Sequence, residues 1–237
     1  MTGARGRHDI DERTTMTARR LAGYELALPE AWVAIPSDLA DVDVWARQEA
    51  ERLVAAAPDR ADVELRAASA PGEPAEDVDP VALLASGLAA VAGTAAGAGV
   101  RGLEAAALVR RPELGRVDAM VTLAAQQDLS RDAFVADLQG LVSGPEAVEH
   151  LLAQEVDAVV DAGEVRGLHL MLGHLEPDLG EGVAHLEERV ALGVFPPGCA
   201  DMIEVTAVAN GVGAFDDMPQ DVVDVLGGLA VDLEGTA

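Results

Sequence analysis

The sequence predicts an α/β (α+β) fold in which helices cover a mostly antiparallel sheet of six to seven strands. The strongest indication is the stretch 183–233, where apolar residues alternate over two runs, 186–194 and 203–209, and then recur with helical spacing. Alternation with a period of two is typical of half-buried strands, and spacings of three and four residues are typical of a helix. Hairpin connections favour antiparallel pairing, and helices of this number can cover both faces of the sheet.

The first half of the chain is predicted to contain two short strands, two helices and a hairpin. The predicted segments are a strand at 24–29, an extended piece at 33–36, helices at 41–57 and from 79 onward, and hairpin strands at 103–109 and 117–125. Asp41 and Asp79 are suitable N-cap residues, and Pro80 suits the first helical position. The hairpin turn falls at 112–115, where proline and glycine lie close together.

The second half is predicted to contain a helix capped by Ser130, a further helical stretch at 146–154, and strands at 155–161 and 164–172 around an Ala162-Gly163 turn. Two longer strands follow, separated by a Pro-Pro-Gly turn. The chain then closes with a helix whose apolar face consists of Val222, Leu226, Leu229 and Leu233.

Length and composition favour one domain. The chain has 237 residues, of which 50% are hydrophobic but only 3% aromatic, so we expect a core of Leu, Val and Ala. We assign 23–237 to the domain and 1–22 to a disordered tail, with Met16 as an alternative start. Residues 66–80, rich in Pro, Gly and acidic side chains, are assigned to a flexible loop.

The charge restricts the class of partner. The chain has 42 acidic and 16 basic residues, giving a net charge of −26. Such a surface repels nucleic acid and anionic lipid, so we expect neither as a partner. We interpret it mainly as a solvating coat; a basic protein partner or mimicry of a nucleic-acid backbone are the alternatives. No apolar run reaches membrane-spanning length without glycine or charge interruptions, and the charged N-terminus has no apolar core typical of a secretion signal.

Several kinds of chemistry are excluded or have no signature. All 16 basic residues are arginine, which excludes a Schiff-base lysine and the lysine of a phosphate loop. The single Cys199 cannot form an intramolecular disulfide, which fits a cytoplasmic location. No local pattern marks Cys199 or any serine as a nucleophile. We therefore expect no catalytic residue and no cofactor.

The order of elements resembles the Mog1/PsbP-like family, which includes bacterial members of unknown role. The resemblance is carried by the opening strand and tryptophan at 24–32 (YELALPEAW) and by the ending, in which a long strand, a Pro-Gly turn and the strand 202–209 precede a helix after Phe215. It covers most of 23–233, with an expanded segment at about 66–102. It implies an α/β/α sandwich and a binding or assembly factor rather than an enzyme.

Two groups of residues are candidates for a site. His169, His174 and His185, with acidic residues in the intervening loop (Glu176, Asp178 and Glu181), have ligand types that a metal needs, but two histidines five apart on a strand point to opposite faces. We therefore expect a structural or surface role for them.

The second group is Arg110, Arg111 and Arg116, the only positive cluster in the folded part, which is a candidate partner contact. Our expectation is a non-enzymatic protein-binding or assembly module. The alternative is a small-ligand or metal-binding protein, or an enzyme, with a site of dispersed residues near His169 and His174.

Overall fold

The computed structural model describes residues 18–57, 79–143, 148–175, 184–209 and 213–235. Within these ranges the fold is mixed α+β, with four α-helices, a seven-stranded antiparallel sheet and a separate two-stranded sheet. The strands are β1 (Leu21–Leu26), β2 (Trp32–Ile35), β3 (Glu104–Leu108), β4 (Ala119–Gln126), β5 (Val148–Val160), β6 (Gly163–Leu175), β7 (Ala184–Phe195), β8 (Met202–Ala209) and β9 (Leu229–Leu233). The helices are α1 (Val42–Ala56), α2 (Pro80–Gly97), α3 (Arg131–Ser143) and α4 (Met218–Leu226).

The large sheet has the strand order β2-β3-β4-β8-β7-β6-β5, and every neighbouring pair is antiparallel. Strands β1 and β9 pair with each other in the small sheet. The short strand β2 and the long strand β5 therefore form the two edges of the large sheet. Most of the predicted disordered tail (1–22) and of the predicted flexible loop (66–80) lies outside the described residues. The last two residues assigned to the tail, 21 and 22, belong to β1.

Each helix begins at the residue whose side chain caps it. Asp41 and Asp79 accept hydrogen bonds from the backbone N–H of Val44 and Val81, both at 3.0 Å. Ser130 and Asp217 cap α3 and α4 in the same way. Because the first N–H groups of a helix have no partner within it, these side chains fix where each helix starts. The predicted caps of α1, α2 and α3 are confirmed.

One face of the large sheet is covered by α4 and by the small sheet. Its centre is β8, whose residues Ile203, Val205, Ala207 and Ala209 are all fully buried. Val222 and Leu226 of α4 pack in the same cluster, as do residues of β1 and β9. The predicted arrangement of β7, β8 and a helix packed on them is confirmed.

The other face carries the remaining helices. Helices α1 and α2 pack on Ala105 and Ala107 of β3, and α3 packs on Leu168, Leu170 and Leu172 of β6. Helix α2 is, among the described residues, the one helix long and apolar enough to cross a membrane by length and composition alone. Part of its apolar surface is buried in this core, where Leu84 and Leu88 are inaccessible to solvent.

Two element predictions are wrong. Residues 148–154, expected within a helix, form the first half of β5. The closing helix was expected to reach Leu233, but it ends at Leu226 and residues 229–233 form β9. The intervening Gly228 explains the break: a Cβ there would lie 2.4 Å from the carbonyl oxygen of Ala27, so the close approach of β1 requires glycine.

Asp201 fastens the N-terminal strand to the large sheet. It is 4% exposed, and its carboxylate accepts hydrogen bonds from the N–H of Leu21 (3.0 Å) and the guanidinium of Arg20 (2.6 Å). A third, longer bond comes from the N–H of Asp128 (3.3 Å). Burial raises the pKa of Asp201, but these donors outweigh it and hold the pKa below its ordinary value.

We expect Asp201→Asn to reduce the free energy of unfolding at pH 7 by about 1–3 kcal/mol, because the amide cannot satisfy all three donors. Since the folded pKa is depressed, the carboxylate stabilises the fold fully above its unfolded pKa of about 3.9 and loses this contribution as pH falls through the folded pKa. The difference between wild type and variant, measured by urea unfolding, should therefore shrink below pH 4. The control is Asp132→Asn, at a side chain that is 91% exposed. A difference that persists unchanged at low pH would contradict this explanation.

We expect Leu226→Ala to cost about 2–5 kcal/mol, because Leu226 is 1% exposed and its removal leaves a cavity between α4 and the sheet. Urea unfolding measures this. The matched control is Leu83→Ala in α2. Because the side chain of Leu83 is 48% exposed, this variant should lose far less free energy of unfolding. Equal losses in the two variants would show that α4 does not pack as described.

Candidate functional site

A polar cleft of about 420 Å³ lies between the N-terminus of α4 and the outer strands of the large sheet. We call it the acidic cleft. Its floor is formed by residues of β5, β6 and β7, and its wall by 216–220 and Val223. The cleft therefore lies next to β5, the long edge of the sheet.

A histidine–carboxylate pair lies at the base of the acidic cleft. The Nε2 of His169 is 2.9 Å from Oε1 of Glu188, and the two side chains are only 13% and 11% exposed. In the β6–β7 register His169 is opposite Val190, and Glu188 is opposite Met171. The two side chains are thus diagonal neighbours on one face of the sheet, a separation that long side chains can bridge.

Other polar groups surround this pair. Gln154 of β5 is the register partner of His169 on its other side. Asp216, Asp217 and Gln220 approach from the α4 end, where Asp217 caps the helix. The side chains of two further lining residues are engaged elsewhere: Glu155 accepts a hydrogen bond from Gln139, and Asp157 forms an ion pair with Arg166.

The wall of the cleft is held in place by Arg110. Its guanidinium donates to the carbonyl oxygen of Ala214, pairs with Asp221 at 3.2 Å, and lies 4.8 Å from the ring centroid of Phe215. These contacts join the end of β3 to the segment that leads into α4. Arg110 therefore determines where Asp216 and Asp217 lie.

The predicted arginine cluster is largely committed to contacts within the chain. Besides Arg110, Arg116 pairs at 2.9 Å with Asp118, a side chain that is almost fully buried. Asp118 also accepts a hydrogen bond from the backbone N–H of Arg110. Arg111 follows Arg110 at the N-terminal side of a short 3-10 turn, Pro112–Leu114. The partner contact predicted for these residues is untested.

The histidines that the sequence singled out are not brought together. His174 lies on the opposite face of β6 from His169, where its Nε2 is 3.3 Å from Glu187. The acidic residues 176, 178 and 181 and the side chain of His185 lie outside what the structure describes. In the described part of the chain, no three His, Cys, Asp or Glu side chains are placed to hold a metal ion.

The chemistry available in the acidic cleft is that of a cation-binding site. Carboxylates of Glu188, Asp216 and Asp217 supply negative charge, and the ring nitrogens of His169 supply a hydrogen-bond donor or acceptor. Among the described residues that line the cleft there is no serine, threonine, cysteine, tyrosine or lysine. Of the side-chain types that act as nucleophiles in covalent catalysis, the described lining therefore offers only carboxylates and the imidazole of His169.

The long edge strand β5 is the second feature of this site. It pairs with β6 on one side, and no described strand pairs with its other side. Exposed apolar side chains lie along it: Leu151 is 51% exposed, Leu152 37% and Val159 77%. An edge strand presents unpaired N–H and C=O groups, which makes it a template for a further strand.

No family model matches the sequence, and a search of curated proteins found no significant match. The resemblance to the Mog1/PsbP-like family therefore stays a prediction.

Glu188 was visible in the sequence as the one acidic residue that interrupts the apolar alternation of β7. An interruption of this kind is a sign that a buried charge has a partner, since unpaired buried charges are costly. Its partner His169 could not be identified from the sequence, because the loop between β6 and β7 does not fix the register. The contribution of α4 to the cleft was also missed.

We expect the double variant His169→Val/Glu188→Val to unfold in urea at the same concentration as wild type or a higher one. A buried polar pair is often no more stabilising than apolar side chains of similar volume, because both groups lose their contacts with water. The single variant His169→Val should lose about 1–3 kcal/mol, because it leaves the buried Glu188 carboxylate without its partner. If the double variant loses as much as the single one, the pair serves stability rather than binding.

Proposed function

We propose that this protein is a non-enzymatic binding module that takes an extended, basic segment of a partner protein along β5. The observation that carries the proposal is that the acidic cleft lies directly beside an edge strand of 13 residues. A strand added at this edge obtains affinity from backbone hydrogen bonds and specificity from pockets for alternate side chains. The acidic cleft is such a pocket.

Charge determines what the segment carries. Alternate side chains of an added strand extend toward the face on which His169 and Glu188 lie. An arginine or lysine in that position extends toward the wall of the acidic cleft, where Asp216 and Asp217 supply carboxylates. The side chains on the opposite face meet the region of Asp157 and Glu155. The exposed Leu151 and Val159 offer apolar contacts toward the ends of the strand.

A second copy of this chain is a poor occupant of the edge. Each copy carries a net charge of −26, so pairing β5 with another β5 brings like charges together. Two positions on β5 close to the cleft, Glu155 and Asp157, are acidic in both copies. A basic partner is attracted by the same charges, so its association should be fast and sensitive to salt.

We further propose that the helices form the outer layers of the predicted α/β/α sandwich. Its support is that α1, α2 and α3 pack with one set of alternating strand residues and α4 with the other. The small β1–β9 sheet shares the α4 side. This arrangement agrees with the binding and assembly role that the Mog1/PsbP-like resemblance implies, and a cytoplasmic location fits the free Cys199.

A small cationic ligand is the second candidate occupant of the acidic cleft. The buried contact between His169 and Glu188 favours it, because polar pairs of this kind orient ligands in concave sites. The sequence left open a ligand site near His169 and His174, and this second candidate includes only His169. His174 does not contribute, since it lies on the other face.

The proposal predicts that lysines on β5 abolish partner binding. The full chain is used as bait in a lysate of the source cells, and the retained protein is then purified for titration. Leu151→Lys/Val159→Lys should bind it at least about tenfold more weakly, because the new charges oppose a basic segment. The control is Val44→Lys, at an equally exposed position on α1. Binding by wild type and control should weaken as salt increases.

Amide exchange of the purified complex separates strand addition from other modes of binding. Protection should appear along β5, where the outer N–H groups gain partners. A partner that binds the lysine variant as well as wild type, or that protects a different surface, would contradict the proposal. If no protein is retained and a small cation stabilises wild type but not Glu188→Gln, the second candidate is favoured.

A further inference from the structure

We propose that the opposite edge of the sheet holds a binding site for a small hydrophobic molecule that carries a protonated amine. A cavity of about 530 Å³ lies where β2 ends, a volume typical of small-molecule sites. The start of α1 and the end of α2 close it on one side. Its aliphatic lining residues include Ile35, Leu39, Val42, Ala92, Ala95 and Val100. This site does not depend on the function proposed for β5.

The cavity continues around the end of the edge strand. A smaller cavity of about 190 Å³ lies on the other side of β2 and β3 and is lined by Leu26, Leu28 and Leu123. Ile35, Ser37 and Glu104 line both cavities. Because β2 has only four residues, the sheet ends close to these shared residues, and the two cavities are neighbours around the end of the strand. We call the combined space the apolar cleft.

Among the described residues that line the apolar cleft, one is ionisable, Glu104. Among the described residues Glu104 has no ion-pair partner, and its charged neighbour is a second acid, Glu25. Burial, together with Glu25, raises the pKa of Glu104. Among the described residues, therefore, no cation neutralises this carboxyl group at the mouth of the apolar cleft.

Tyr24, a neighbour of Glu104, is uncharged and its hydroxyl group is engaged with backbone carbonyl groups. Its hydroxyl lies 3.1 Å from the carbonyl oxygens of both Gly102 and Leu123. Burial and the charge of Glu104 raise the pKa of Tyr24 to about 12, so the phenol stays protonated and its hydrogen is available to a carbonyl group. An incoming ammonium group can donate to Glu104 and be attracted by Glu25 at the same time.

The aliphatic side chains in the walls can pack against a hydrocarbon chain. In a protein with 24% charged residues, the segment 80–100, which includes α2, contains none. Val100, in the wall, remains 44% exposed. A carboxylate-bearing ligand of the same shape would meet Glu104, Glu25 and a net charge of −26, all of them repulsive. The chemistry of the site therefore selects an amine.

The test is a calorimetric titration of the full chain with n-octylamine, below its micelle-forming concentration, and with three matched probes. Sodium octanoate has the chain with the opposite charge, n-octanol has the chain without charge, and ethylamine has the charge with almost no chain. Octylamine should bind at least about fivefold more tightly than each of the others, because it alone satisfies both the apolar walls and Glu104.

Variants assign the binding to the apolar cleft. Glu104→Gln should weaken octylamine binding about fivefold and leave octanol binding unchanged. Ala96→Trp, at an exposed lining position, should block both chains by filling the space. Glu30→Gln, at an exposed acid outside the lining, is the control. Circular dichroism establishes that each variant is folded.

Three results would overturn the proposal. Equal binding of octylamine and ethylamine would indicate attraction to the acidic surface alone. Equal binding of octanoate or octanol would show that Glu104 does not select an amine. Octylamine binding that survives both Glu104→Gln and Ala96→Trp, or that is absent from wild type, would place no site in the apolar cleft.

Discussion

The pairing of β8 with β4 on one side and β7 on the other is the constraint on which the rest of the structure depends. Strands from the first half of the chain, β2 to β4, join those from the second half, β5 to β7, only through β8 in the described sheet. Its four inward residues on the α4 side are completely buried, two of them alanines. Because the alanine side chains at Ala207 and Ala209 occupy little volume, residues of α4 and of the small sheet can approach the strand closely. Both candidate sites lie at the two ends of the sheet that this strand holds together.

Sequence periodicity predicted most of the elements and failed where two periods fit the same residues. Val148, Leu151 and Leu152 have helical spacing, but the structure accommodates them in β5 through an irregularity between His150 and Leu152. At a bulge the alternation of a strand shifts, so period two is hidden. Leu229 and Leu233 continue the stripe of α4, yet Leu229, Val231 and Leu233 also alternate, as β9 requires. The deciding signal was Gly227-Gly228, since two successive glycines weaken a helix.

The acidic cleft could be predicted only in part, because it depends on register. The alternation of β7 marked Glu188 as exceptional, and the separation of His169 and His174 onto opposite faces followed from their spacing. The β5–β6 turn was expected one residue later than its position at Asp161-Ala162, a difference that changes which residue of β5 lies beside His169. Arg110 pairs with Asp221, which is far from it in the sequence, and Arg116 pairs with the nearby buried Asp118. Hydrophobic periodicity predicts neither ion pair.

The two edges of the sheet illustrate how one charge pattern can serve two purposes. Edge strands are commonly protected from unwanted pairing by lysine, by brevity or by a bulge. This chain has no lysine; β2 is short, and β5 carries a bulge and acidic residues instead. Acidic protection repels further copies of the chain, and in the function we propose the same charges attract a basic strand. At the short edge the same negative field acts on an apolar space with Glu104 at its mouth. In both of our proposals the preference for positive charge therefore comes from the whole surface, and the local shape at each edge distinguishes the proposed peptide from the proposed amine.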